Sequence, residues 1–281
     1  MPTHDVIIYG ATPAGCFAAI QLARYGRNVA VIEPSQFKGG MITGGLGISD
    51  AAATRTWSGV VQEFVDACAA VTGWTSSIDK WNFPADVAKT ELEALIAAET
   101  ITFYHGEWIT AVHKNEVTPA LGADVSAVAS EGSLIASVDT NLDSYTADHW
   151  IDCSYEGDLA AMAGCTMTYG RDARSTYGEN NTGRNDDTQA VSAYAVVDAD
   201  GDLYTRCQHA PAHKTGEADA TIMAVGFRLM ATNDPAKIVP WPMPPGYNRN
   251  DFLSEIHEAN SRSLSVAESH QGFITRRVMN D

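Results

Sequence analysis

Residues 5–15 read DVIIYGATPAG, a β-branched apolar run that passes directly into a glycine-bearing turn. The run Asp5–Tyr9 has the composition of a buried parallel strand. Small and apolar residues over Ala14–Tyr25 predict a helix, and Gly26 suits its end. Asn28–Glu33 is predicted as the second strand. The stretch therefore predicts a βαβ unit with a short crossover.

The turn between this strand and helix has the features of a dinucleotide site. Gly10 permits a tight turn, and Gly15 permits close packing of the helix against the strand. The helix N-terminus offers free N–H groups and a partial positive charge to a pyrophosphate. Glu33 can accept hydrogen bonds from both ribose hydroxyls of an adenosine, and its charge makes NADP a poor candidate. Thr12 replaces the usual middle glycine, so an ordinary turn with a capping threonine is the alternative.

A second glycine cluster narrows the class of ligand. Gly39, Gly40 and Met41 follow Glu33 by a few residues, and further glycines come after them. Glycine-dense loops are costly to order and usually occur where the backbone must approach something closely. A backbone lying under the same pyrophosphate is a feature of flavoproteins that bind extended FAD, whereas a nicotinamide dehydrogenase does not need it. The cluster favours FAD, with a plain surface loop as the alternative.

The middle of the chain is predicted to complete the first domain. Helices are expected at Ser58–Val71 and at Ala85–Glu99, where the second begins after Pro84. Short runs with strand-like composition then follow, and we predict that they form a β-meander inserted at about 101–146. These runs are Ile101–Tyr104, Trp108–His113, Asp124–Ala129, Ser133–Val138 and His149–Ile151.

The chain changes character after about Cys165. Strands are predicted at Ala190–Val197, Leu203–Gln208 and Thr221–Met230, and a helix at Asp251–Asn260. The predicted fold class is therefore α/β. A Rossmann-like FAD-binding domain over 1–165 carries the inserted meander, and a β-rich substrate domain, expected to be incomplete, covers 166–281.

Composition excludes some classes of partner. The 281 residues are 45% hydrophobic and 19% charged, as in ordinary globular proteins. The net charge of −17 argues against nucleic acid and anionic membranes, which both need an excess of basic residues. The five cysteines are odd in number and form no CxxC pair, which fits reduced thiols. With no leader and no long apolar run visible, we expect a cytoplasmic protein.

Other side chains could have either a functional or a structural role. Asp152 or Glu156 could help to hold the flavin loop or position the substrate. The alternative, that Asp152 caps the next helix, is favoured. Cys153 lacks a nearby thiol partner, so a redox role is not predicted. Arg171 and Arg174 could clamp a carboxylate or form surface ion pairs. No metal site is predicted, because Pro211 breaks the only suggestive histidine spacing, His209 to His213.

Several blocks of the sequence resemble FAD-dependent oxidoreductases with a GGTPAG-type turn, in that family's order. In that family threonine is the usual residue at the position of Thr12. The resemblance implies a glutathione-reductase-like FAD domain joined to a substrate domain. The blocks are residues 5–15, 33–34, 39–47 with Asp50, 151–159, 170–175, and 226–229 continuing through Pro240 to 245–247.

The expected function is FAD-dependent transfer of a hydride from an unidentified small-molecule substrate to flavin. A partner-dependent, non-catalytic flavoprotein half and an NAD-dependent dehydrogenase remain alternatives. Relatives of this type carry a later segment that returns to the flavin, so a second polypeptide or a further segment is expected to complete the site. No catalytic residue is assigned. The predicted cofactor-binding residues are Gly10, Thr12, Pro13, Ala14, Gly15, Glu33, Pro34, Gly39, Gly40, Met41, Thr43, Gly44, Asp152, Glu156 and Gly157.

Overall fold

A computed structural model of the chain divides it into two compact units, Met1–Met167 and Thr168–Asp281. The residues that the structure describes are 3–46, 57–73, 83–116, 133–180, 182–183, 200, 202, 216–220, 235–236, 238–239, 242–243 and 245–252.

The first unit is built on a six-stranded sheet. Its strands are β1 (Thr3–Tyr9), β2 (Val29–Glu33), β3 (Ile101–His105), β4 (Ile109–Glu116), β5 (Ser133–Thr140) and β6 (Ser144–Asp152). Their order in the sheet is β3-β2-β1-β6-β5-β4. β1, β2, β3 and β6 run parallel, while β4 and β5 are antiparallel additions at one edge. β1 lies in the middle, with Val6 opposite Val29 on one side and Ile8 opposite Ile151 on the other.

Helices connect and cover this sheet. A single helix forms the crossover from β1 to β2. The two longer helices that precede β3 pack against each other. Side chains of the central strands alternate between two apolar cores, because successive residues of a strand point to opposite faces. The helices are α1 (Pro13–Arg24), α2 (Gly40–Thr43), α3 (Gly59–Thr72), α4 (Ala85–Ala97) and α5 (Asp158–Met162).

The two cores differ in their partners. The core on the helical face joins β1 and β2 to α1, α3 and α4, and its buried members include Val6, Ile8, Cys16, Ile20, Val31, Phe64, Leu92 and Ile96. The core on the other face joins the same strands to the antiparallel strands and to α5. Its buried members are Ile7, Tyr9, Ala30, Ile32, Ile109, Val138, Tyr145 and Leu159.

A buried carboxylate anchors the antiparallel strands. Glu107 accepts hydrogen bonds from the Tyr145 hydroxyl at 2.8 Å and from the Thr140 hydroxyl at 2.7 Å. Burial and the neighbouring Glu107 raise the pKa of Tyr145, so this phenol stays protonated and donates. The bonds satisfy a charge that would otherwise be costly to bury.

The βαβ unit predicted from the sequence is confirmed. α1 covers Pro13–Arg24 and β2 covers Val29–Glu33, each within a residue or so of the predicted bounds. The two predicted helices are present as α3 and α4. All of these elements carry strong local signals, namely apolar periodicity with glycine or proline at their ends.

The predicted extent of the meander is wrong at its start. The sequence predicts Ile101–Tyr104 as part of the inserted meander, but β3 pairs in parallel with β2 and belongs to the main sheet. β4 and β5 do form an antiparallel pair, and β6 begins at Ser144, earlier than the predicted His149. A short apolar run carries no information on whether its pairing is parallel or antiparallel. The predicted run at 124–129 lies outside the described residues.

The second unit is described only in parts. A short helix, α6, covers Arg174–Tyr177, and a 3-10 helix covers Arg249–Phe252. The strands predicted at 190–197, 203–208 and 221–230, and most of the helix predicted at 251–260, lie outside the described residues. None of the helices in the described part of the chain combines the length and apolarity needed to cross a membrane.

Candidate cofactor site

A cavity of about 270 Å³ opens at the carboxyl ends of β1, β2 and β6. Its walls are the turn after β1, the end of β2 with the loop that follows, and the loop after β6. β1 lies between β2 and β6 in the sheet, so the order of the strands changes direction at β1. Open α/β sheets bind their ligands at this topological switch point. We call this space the switch-point cavity.

Gly10 and Gly15 hold the turn after β1 tightly against the end of β6. Gly10 has φ of 97°, and a Cβ there would lie 2.8 Å from the Ser154 nitrogen. A Cβ on Gly15 would overlap the Gly10 carbonyl oxygen and lie 3.2 Å from Cβ of Cys153. Both positions therefore require glycine, and the packing roles predicted for them are confirmed.

Thr12 caps α1 and joins it to the loop after β6. The Gly15 N–H donates to the Thr12 hydroxyl oxygen at 3.3 Å, and that hydroxyl donates to the Cys153 carbonyl at 2.7 Å. The backbone at Thr12 has φ of −64°, so its conformation does not call for glycine. The capping interpretation of Thr12 is thus correct, and the residue also lines the switch-point cavity.

The Glu33 carboxylate is held by two backbone donors. One oxygen accepts from the Ala11 N–H at 2.6 Å and the other from the Ser35 N–H at 2.8 Å. A carboxylate oxygen can accept a further hydrogen bond beyond the one it already has. Glu33 lines the switch-point cavity with its position set before any ligand arrives.

The second glycine cluster is fastened on two sides. The Gly39 N–H donates to the Ala11 carbonyl at 2.7 Å, with φ of 85° at Gly39. The Met41 N–H donates to the Tyr155 hydroxyl at 2.9 Å. A Cβ on Gly40 would overlap that hydroxyl. Gly40 and Met41 begin α2, and the cluster is thus fastened to the rest of the unit.

Tyr155 is one of the cavity residues that the sequence analysis did not predict. It lines the switch-point cavity and ties the loop after β6 to the glycine cluster. Its partner Met41 is 114 positions away, so no local pattern could reveal the contact. The available signal was an aromatic residue just beyond a predicted strand end, next to Glu156.

Asp152 is committed to shaping the loop after β6. One carboxylate oxygen accepts from the Ser154 N–H and hydroxyl at 2.9 and 2.7 Å. The other accepts from the Ala160 N–H at 2.8 Å, which lies in the first turn of α5. The helix-capping interpretation therefore describes Asp152, and Gly157, with φ of 76°, lets the chain enter α5.

The predicted cofactor residues divide among three locations. The switch-point cavity is lined by Gly10, Thr12, Glu33, Pro34, Gly40 and Glu156. A second cavity of about 620 Å³ is lined by Thr43, Gly44 and again Gly40. This cavity also contains Lys38 and Lys89, and we call it the lysine cavity. The predicted residues that line neither cavity are Pro13, Ala14, Gly15, Gly39, Met41, Asp152 and Gly157.

The switch-point cavity is rich in hydrogen-bond acceptors. Glu33, Glu156 and Asp158 line it, and its lining contains no lysine or arginine. Burial raises the pKa of Tyr9, and nearby Asp158 and Glu33 raise it further, so this phenol is neutral near pH 7. Such a lining suits hydroxyl and amine donors better than phosphate oxygens.

The described cysteines are free thiols. Burial raises the pKa of Cys16 and of Cys68 to about 12. Burial, with Asp152 nearby, also raises the pKa of Cys153. These side chains are therefore protonated at neutral pH and are poor nucleophiles. Cys165 is free and exposed, and Cys207 lies outside the described residues.

The candidate binding residues of the second unit do not form a recognisable ligand site within the described residues. The Arg171 Nε lies 3.8 Å from a carboxylate oxygen of Asp219, and the two backbones pair as an isolated bridge. This favours the ion-pair interpretation of Arg171. Arg174 begins α6, with its N–H donating to the Gly216 carbonyl at 2.9 Å. His209 and His213 lie outside the described residues.

Four parallel strands, a glycine turn, an acid at the end of the second strand and a cavity at the switch point together define a Rossmann-like dinucleotide-binding fold. The sequence profile described as FAD dependent oxidoreductase matches residues 5–277. The chain belongs to this family of oxidoreductases, and FAD is its cofactor. A search of curated protein sequences gave no significant match.

Solved structures also resemble parts of the chain. Thioredoxin reductase from T. acidophilum is 18% identical with a TM-score of 0.33, covering 54% of this chain and 35% of that one. THI4 from Thermovibrio ammonificans is 17% identical with a TM-score of 0.40, covering 60% and 66%. L-proline dehydrogenase from P. horikoshii is 13% identical with a TM-score of 0.36, covering 62% and 59%. The chain thus spans between about a third and two thirds of these proteins.

Proposed function

We propose that this chain binds FAD with its adenosine half in the switch-point cavity and acts in hydride transfer from a small-molecule substrate. The observation that carries the proposal is the Glu33 carboxylate, held by the N–H groups of Ala11 and Ser35 at the end of β2. It keeps acceptor capacity toward the cavity, as recognition of ribose hydroxyls needs. Bound FAD supplies a ring that accepts hydride.

The other residues of the site have distinct roles in this proposal. Glu156 and Asp158 accept hydrogen bonds from donors of the adenosine half. The N-terminus of the 12-residue α1 faces the turn after β1, and its partial positive charge suits the pyrophosphate. Pro13 starts the helix without an N–H group, which leaves the N–H of Ala14 as a donor there. A β-rich unit over 166–281 would hold the substrate.

A second polypeptide or a further segment is proposed to complete the flavin site. The switch-point cavity, at about 270 Å³, lies below the usual range of roughly 300–1,000 Å³ for ligand pockets. At its rim the rings of Phe37 and Tyr155 are 71% and 55% exposed. These features support partial enclosure of FAD by this chain alone. We also propose a cytoplasmic location, which the free thiols support.

The test of the proposal is the identity of the bound cofactor. We expect heat to release FAD from the purified chain, with a flavin absorbance spectrum before release. Recovery of FMN or of NADP alone would contradict the role given to Glu33. The family match does not favour an NAD-dependent dehydrogenase. A chain that carries FAD but reduces no acceptor would favour the partner-dependent alternative.

Replacing Glu33 tests the ribose contact. We expect Glu33→Gln to weaken FAD binding about tenfold or more, because a hydrogen bond to a charged group contributes about 1.5–3 kcal/mol. Fluorescence titration of flavin-free protein measures the change. Glu63→Gln is the control, since Glu63 pairs with Arg24 on the surface and is about half exposed. Equal affinity for FAD in the two variants would mean that Glu33 only joins the turn at Ala11 to the loop at Ser35.

A further inference from the structure

The lysine cavity is a second concave site in the same unit. It lies between the loop after β2, α2, α4 and the end of β3, with a volume of about 620 Å³. Ser35, Phe37 and Gly40 line both cavities, so the loop after β2 contributes a wall to each. The cofactor role proposed for the switch-point cavity does not explain this larger space.

The charges of the lysine cavity are opposite to those of the chain. Lys38 and Lys89 line it, with Glu93 as the single carboxylate of the lining. Within the described residues neither lysine forms an ion pair with a carboxylate. The chain has 35 acidic and 18 basic residues, so two ammonium groups in one concave site form a local exception. Such a site attracts anions.

The Lys38 ammonium of the lysine cavity lies against an aromatic ring. The Lys38 Nζ lies 4.4 Å from the centre of the Phe103 ring, and the His105 ring stacks on Phe103 at 5.6 Å with an interplanar angle of 9°. The His105 Nδ1 lies 3.2 Å from the Ser35 carbonyl oxygen. Because a carbonyl only accepts, Nδ1 carries the proton. A donor such as Lys38 that is held in advance lowers the cost of binding.

We propose that the lysine cavity binds the phosphate group of a small molecule other than FAD. Lysine binds phosphate as a compact positive charge, and the amide of Gln36 adds a further donor type to the lining. The volume lies within the usual range for small-molecule sites, so it accommodates an organic part as well as the phosphate. Glu93 is placed to accept a hydrogen bond from a hydroxyl or amine of that part.

Calorimetric titration of the FAD-loaded chain at low ionic strength tests the proposal, with flavin absorbance followed in parallel. The probes are inorganic pyrophosphate, inorganic phosphate, glycerol phosphate and acetate. We expect the three phosphate probes to bind, acetate to bind more weakly, and added salt to weaken binding through screening. Tighter binding of glycerol phosphate than of inorganic phosphate would assign the site to an organic phosphate, and the reverse to the free anion.

Four variants locate the binding. Lys38→Gln and Lys89→Gln should each weaken pyrophosphate binding about tenfold, since each removes a charged donor. Glu93→Gln should strengthen it severalfold by removing a like charge. Arg27→Gln, at an exposed position outside both cavities, should leave it unchanged.

Three results would overturn the proposal: no heat of binding, equal affinity in all four variants, or release of flavin by pyrophosphate. Release would place the two lysines in the flavin site itself. Failure of the proposed function would be seen separately, as a chain without flavin absorbance. In that case the same titration on flavin-free chain with the same variants still decides whether the lysine cavity binds phosphate.

Discussion

Gly40→Val should give a folded chain that retains no flavin. Gly40 has φ of 45°, where a β-branched residue is strained by about 1–3 kcal/mol. Its new Cβ would overlap the Tyr155 hydroxyl and lie 3.2 Å from Cδ of Pro13. The ring of Tyr155 is half exposed and can swing outward, so the clash is relieved without unfolding. That movement breaks the Tyr155–Met41 bond and opens the wall of the switch-point cavity.

The ratio of flavin to protein absorbance after purification measures this effect, and circular dichroism checks the fold. Gly73→Val is the matched control, because Gly73 has φ of 72° with no atom within 4 Å of its Cβ position. It carries similar backbone strain at the end of α3, away from the cavity. Tyr155→Phe removes only the hydroxyl. It should weaken FAD binding relative to the unchanged chain, but less than Gly40→Val does. A fully yellow Gly40→Val protein would exclude the glycine cluster from the site.

Gly10→Ala should cause the largest loss of stability of any change considered. The backbone at Gly10 has φ of 97°, and the new Cβ would lie 2.8 to 2.9 Å from the Ser154 nitrogen, the Cys153 carbonyl carbon and the Ser154 Cα. All three are backbone atoms, so no side chain can rotate away. Strain and overpacking each cost about 1–3 kcal/mol, against a typical total stability of about 5–15 kcal/mol.

Urea unfolding of flavin-free protein measures this loss without any contribution from cofactor binding. Gly26→Ala separates the two causes, since Gly26 has φ of 75° with no atom within 4 Å of its Cβ position. Only the cost of the left-handed conformation, about 1–2 kcal/mol, should be seen there. Equal losses in the two variants would show that the contact between the β1 turn and the β6 loop adds nothing.

Much of the fold and part of the site could be predicted because their causes are local. A β-branched run, small residues and Gly26 specify β1, α1 and the end of α1 within one short stretch. Gly10 and Gly15 are recognisable because a tight turn and a close helix–strand approach both exclude Cβ. FAD could be inferred because Glu33 and the second glycine cluster follow at short spacings.

The remaining features depend on contacts between distant parts of the chain. The residues of β3 suit parallel or antiparallel pairing, and its parallel pairing follows from its contact with β2. The bond between Tyr155 and Met41 and the pairing of Lys38 with Phe103 both join segments far apart in sequence.

The sequence by itself determined the βαβ unit, its glycine turn and the class of cofactor, because each rests on residues within about one supersecondary unit. Only the tertiary structure decided which predicted residues meet around a cavity, that Asp152 serves its own loop, and that two lysines share a second cavity. The physical reason is that side-chain convergence depends on how strands order within the sheet, and that order follows from packing of the whole unit.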